Sequence, residues 1–167
     1  MQNLVSLLAV AGTLLGVLLG ATLSGRAQRQ MLLITYRRES LRALEVAYVD
    51  YLAAYSSFRL YVQTQSIKVR NVARSEDPGR ITPVVEGSED YWKEIRIATA
   101  RMDILGQGND IRSASRAVHD AFWGVLESRA DRGPGEVPDA LVLAADAAEA
   151  RFAKVARADL DKRGMEI

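Results

Sequence analysis

The sequence predicts an all-α protein: a single N-terminal transmembrane helix running into the long helix of an antiparallel helical bundle. Three observations predict it. No ionisable side chain occurs from Met1 to Gly25. A heptad-spaced apolar stripe begins at Leu41. Further on, three helical stripes are separated by loops rich in Gly and Pro, with no alternating strand pattern of any length.

Residues 1–25 form the first element. Leu4 to Leu23 is mostly apolar, and about 20 such residues cross a hydrocarbon core of about 30 Å. A core helix is rarely apolar all round for so long. A cleaved signal peptide needs a positive n-region, whereas this chain opens Met1-Gln2-Asn3 and offers only Thr22-Leu23-Ser24 as a cleavage candidate. The segment therefore reads as an anchor. Arg26, Arg29, Arg37, Arg38 and Arg42 follow it, opposed only by Glu39. Basic residues close to a span stay cytoplasmic, so the N-terminus is expected outside and residues 26–167 in the cytoplasm. Arg26, Arg29, Arg37 and Arg38 are the candidate contacts to anionic lipid, at about 1 kcal/mol for each one near the surface.

Within the span, Gly12, Gly16, Gly20 and Ser24 stand four apart on one helical face. Each glycine costs a helix in water roughly 1 kcal/mol against alanine. In lipid, where apolar burial does not drive helices together, small residues permit close backbone approach. This face is the candidate site of helix–helix packing, against a second copy or the span of another membrane protein.

From Leu41 the steps alternate three and four through Leu44, Tyr48, Tyr51, Tyr55, Phe58, Val62, Gln65, Val69 and Val72. A helix over 27–74 is expected. Ala47, Leu52, Ala54 and Tyr61 flank the stripe and make it wider than a two-stranded seam, so the helix reads as the central member of an intramolecular bundle. The tyrosine hydroxyls should reach the core's edge for partners. Residues 75–88 read as a loop with a short extended piece at Val84-Val85. Ser88 is the expected cap of a helix over 88–105 carrying Tyr91, Ile95, Ala98, Met102 and Leu105. Gly106 to Asp110 reads as a tight turn. A helix over 110–130 then carries Ile111, Ser115, Val118, Phe122 and Val125. After the loop at 131–138, a helix over 138–163 carries Leu141, Ala145, Ala148, Phe152 and Val155.

Composition narrows the chemistry. The chain has 167 residues, no cysteine and one histidine, which leaves no disulfide framework, thiol nucleophile or zinc knuckle. The net charge of +1 divides into +5 over residues 1–80 and −4 over 81–167. The acidic balance beyond residue 80 opposes reading the Gly turn as a nucleic-acid-binding helix-turn-helix. The third glycine of a dinucleotide fingerprint would fall at Ile111, and no strand precedes it. His119 lacks a glutamate three residues before it, where Arg116 stands, so a di-iron bundle is not indicated. It reads as a packed or edge histidine beside Phe122 and Trp123. Ser113 and Ser115 show no triad spacing. No catalytic residue, cofactor or metal is expected.

The segments AVAGTLLGVLLGATLSG, RRESLRALEVAYVDYLAAY, LGQGNDIRSASRAVHDAFWGVL and ARADL together resemble small actinobacterial proteins labelled as Kil-type accessory proteins of conjugative plasmids. The resemblance implies an anchored helical bundle without established catalytic residues, and a link to plasmid transfer or cell-envelope processes. The sequence thus points to a non-enzymatic anchored interaction protein. The alternative is a membrane-bound sensor holding a small ligand between helices. A buried polar group in the core would favour the sensor, and Gln65 is the one polar residue on the long stripe.

Overall fold

A computed structural model describes residues 2–64, 68–74, 77–106, 108–132 and 137–165, with side chains from Ser24 onward except those of 27, 71 and 73–81. The elements are α1 (Gln2–Thr64), β1 (Val69–Arg74), β2 (Asp77–Val85), α2 (Glu89–Leu105), α3 (Asn109–Arg132) and α4 (Asp139–Met165). The fold is helical, as the apolar spacing requires. The chain divides into two units, Met1–Ser40 and Leu41–Glu166.

In the second unit the α1 stripe is the core. Leu44, Tyr48, Tyr51, Tyr55, Phe58 and Val62 are buried, and so are the flanking Ala47 and Ala54. Leu52 and Tyr61 are partly buried against them. Ile95, Ala98 and Met102 of α2 join this core, with Ile111, Val118, Phe122 and Val125 of α3 and Ala145 and Phe152 of α4. Aromatic rings fill its centre. Phe58 stacks on Tyr91 at 5.1 Å and meets Trp92 edge-on at 5.0 Å, while Tyr51 stacks on Phe152 at 5.0 Å.

The expected helix over 27–74 ends at Thr64, and its last positions form a hairpin instead. β1 and β2 pair antiparallel, from Val69 opposite Val85 to Ala73 opposite Ile81. An irregularity between Ala73 and Arg74 sets Arg74 opposite Asp77. Val69 and Val72 satisfy helical steps, but in a strand they take opposite faces. Accordingly Val69 packs on the core and Val72 is exposed. Both residues are β-branched and suit a pleated, half-buried surface. Pairing with β2 and packing of the hairpin on α3 outweigh the weak continuation of the helical pattern. The loop expected over 75–88 is thus largely β2, and the extended Val84-Val85 is its end. Gly87 follows with φ +72°, a left-handed conformation suited to glycine.

The turn expected at 106–110 joins α2 to α3. A Cβ on Gly106 would lie 2.9 Å from the Met102 carbonyl and 3.1 Å from the Tyr48 hydroxyl, so only glycine fits there without displacement. Ser88 precedes α2, but its side chain does not cap it. Its hydroxyl donates backward to the Val85 carbonyl at 2.7 Å. The first helical bond of α2 comes from the Trp92 N–H to the Ser88 carbonyl at 3.0 Å.

Candidate functional site

The residues singled out for membrane contact all lie on α1. Gly12, Gly16 and Gly20 fall in its helical backbone, and their side-chain surroundings lie outside the described residues, as do those of the whole Leu4–Leu23 segment. Among the described residues, no helix is long and apolar enough to cross a membrane. Ser24, Arg26, Arg29, Arg37 and Arg38 are exposed. Arg26 and Arg37 are eleven residues apart and share a helical face, with Arg29 close beside it. Between these arginines Met31, Leu32, Leu33 and Tyr36 are exposed by 62–72%. Gln30, Leu33, Ile34 and Arg37, at helical spacing, line an open depression on one face.

Inside the bundle the tyrosines of α1 bury their rings and carry their hydroxyls to partners. Tyr48 donates to Asp159 at 2.8 Å, and Arg163 donates to the same carboxylate at 2.8 Å. Tyr51 donates to the Ser115 carbonyl at 2.9 Å. The Tyr55 hydroxyl lies 3.0 Å from Nδ1 of His119. His119 is exposed and stacks on Trp123 at 5.8 Å, an edge histidine as expected. Loss of solvent on burial raises the phenol pKa of Tyr48, Tyr51 and Tyr55 above its ordinary value, and for Tyr48 the bond to Asp159 adds to the rise. These phenols stay neutral at physiological pH, and those of Tyr48 and Tyr51 serve as structural donors. Ser115 directs its hydroxyl to the Arg112 carbonyl at 3.0 Å, within its own helix. Among the described residues, no group of three His, Cys, Asp or Glu side chains converges to hold a metal ion.

A second polar group ties α1 to α4. Arg59 reaches Asp146 at 2.7 Å and Glu149 at 3.1 Å. Ser56 donates to the other oxygen of Glu149 at 2.7 Å. One arginine and two carboxylates thus lock the helices in register.

Gln65 lies outside the described residues. Among the described residues the buried charge is Arg129, which the sequence reading passed over. Its side chain is 1% exposed, and its Nε donates to the Val62 carbonyl at 3.1 Å. That carbonyl is in the last turn of α1, where carbonyls lack partners inside the helix and a cation opposes the negative end of the helix dipole. Burial lowers the Arg129 pKa from its ordinary value. The signal was present in the sequence: Ile111, Ser115, Val118, Phe122 and Val125 step by four and three, and the next step of four lands on Arg129.

The polar contacts of Tyr48, Tyr51, Tyr55, Arg59 and Arg129 thus join helix to helix, and the arginines and apolar side chains of 24–38 are exposed. Comparison with known proteins finds no matching family model, no matching curated protein and no matching solved structure.

Proposed function

We propose that this chain is a non-enzymatic, membrane-anchored interaction protein. Residues 4–23 cross the bilayer, the N-terminus faces out and the helical bundle stands in the cytoplasm. The observation that carries this reading is the one-sided charge at the span: no ionisable side chain from Met1 to Gly25, then Arg26, Arg29, Arg37, Arg38 and Arg42. The same arginines hold anionic lipid headgroups, and the Gly12, Gly16, Gly20, Ser24 face packs against a second copy or another protein's span. The internal polar groups of the bundle support a docking role over a chemical one. Arg59, Tyr48, Tyr51 and Tyr55 are each engaged with a neighbouring helix. A place in plasmid transfer, implied by the Kil-type resemblance, is compatible with such a protein.

Topology is the test. A reporter fused after Ile167 should be active only as a cytoplasmic fusion, with the chain in the membrane fraction after alkaline carbonate washing. An exported reporter, or release of the chain by carbonate, refutes the reading.

A further inference from the structure

On α1, opposite the stripe buried in the bundle, a second set of apolar residues recurs at heptad spacing: Val46, Val49, Ala53 and Leu60. The valines and Leu60 are 49–61% exposed. On α2, Ile97 and Ile104, seven residues apart, are 45% and 72% exposed. Between the two helices runs an open groove of about 270 Å³, its floor made of the small residues Ala53, Ala54, Ser57 and Ala98. Asp50 and Arg101 meet across it at 3.0 Å, and their side chains remain 41% and 58% exposed. Ser57 and Glu94 line the same groove seven residues further along α1 and seven back along α2, so the helices are antiparallel.

Two antiparallel helices that share one exposed apolar face amount to half of a four-helix bundle. The geometry points to a second copy of this chain as the missing half, with α1 and α2 of each copy closing a four-helix bundle about a two-fold axis parallel to the helices. Such an interface must be self-complementary, and the charges make it so. A two-fold along the helices keeps every residue at its own height. The second copy's Arg101 therefore comes to the level of Asp50, and the second copy's Asp50 to the level of Arg101. The four charges form a ring of alternating sign around the axis, each flanked by two of opposite sign. Above and below the ring, Val46 and Val49 with Ile104, and Ala53 with Ile97, supply the apolar layers. The small groove floor admits the incoming side chains. The pairing rests on the self-association part of the proposed function and names its cytoplasmic contact surface.

The chain has no cysteine, so single-cysteine cross-linking of the full-length protein in its membrane tests the pairing. Ala53→Cys should give dimers with a short bismaleimide, and Leu143→Cys, exposed on α4, should not. Arg101→Glu places four acidic groups at one level, and cross-linking through Ala53→Cys should fall roughly tenfold or more. Adding Asp50→Arg restores the alternating ring and should restore the dimer, which a fold defect would not do. Equal cross-linking at residues 53 and 143, or undiminished cross-linking with Arg101→Glu, overturns the pairing. A Ser24→Cys chain reads the glycine face separately. Cross-linking there without any at residue 53 refutes this surface and leaves self-association standing. Cross-linking at residue 53 that survives Gly16→Ile supports this surface and removes the glycine face.

Discussion

Replacing Phe58 with alanine tests the core more sharply than any other single change. Phe58 is 0% exposed. Its ring lies 5.1 Å from Tyr91, 5.0 Å from Trp92 and 5.1 Å from Phe122, so residues of α1, α2 and α3 converge on it. Truncating a buried phenylalanine costs about 3–5 kcal/mol, the lost transfer energy plus the cavity left behind. Aromatic pairs add about 0.5–1.5 kcal/mol each beyond area. The rings around Phe58 are themselves held by other helices and cannot collapse far into the hole. The cost should thus fall in the upper half of the range, about 4–5 kcal/mol. This is a large share of the roughly 5–15 kcal/mol that holds a typical domain folded. At the roughly 2–8 °C per kcal/mol spanned by domains of different size, the melting midpoint should drop by about 10 °C or more. Trp92 touches the cavity, so urea unfolding of the full chain in detergent, followed by tryptophan emission, reports the change directly. Leu143→Ala, at an exposed site, is the control and should cost under about 1 kcal/mol. A Phe58→Ala chain within about 1 kcal/mol of the parent would show that the α1 stripe is not the organising core.

Two further outcomes follow from the same packing. Gly106→Ala drives a methyl against the Met102 carbonyl and the Tyr48 hydroxyl and should destabilise by about 1–3 kcal/mol. Gly164→Ala in the last turn of α4 meets nothing within 4 Å and should gain up to about 1 kcal/mol; parallel thermal melts of the two variants decide the comparison. The buried tyrosines set an alkaline limit. Tyr48, Tyr51 and Tyr55 have folded pKa values raised above the ordinary phenol value of about 10. The folded state then binds more protons than the unfolded one. The contribution is fully present below pH of about 10 and is lost as pH rises toward the folded values. Phenolate absorbance should therefore show Tyr48, Tyr51 and Tyr55 ionising together with loss of helical circular dichroism. Ionisation of Tyr48, Tyr51 and Tyr55 before the helical signal falls would refute the burial of these phenols.

The sequence by itself determined the helices that bury a repeating face. The stripe from Leu44 to Val62, and those led by Ile95, Ile111 and Ala145, are legible because helical spacing places each set on one side, and that side is buried. The turn at Gly106 is legible because a chain reversal between two stripes needs small residues. The arginines that follow residue 25 are legible as a one-sided charge pattern, which depends only on order along the chain. Other features depend on what lies across a gap in sequence, and only the tertiary structure decided them. Val69 and Val72 fit a helix and a strand equally well, and β2 chose the strand. Arg129 sits in phase with an apolar stripe, and its burial becomes tolerable only because the end of α1 brings the Val62 carbonyl to its guanidinium. The groove between α1 and α2 exists because small residues far apart in the chain, Ala54 and Ala98, fall on facing sides of two helices. Periodicity tells a residue which side it is on; which partner waits there is set by long-range packing, which no local pattern encodes.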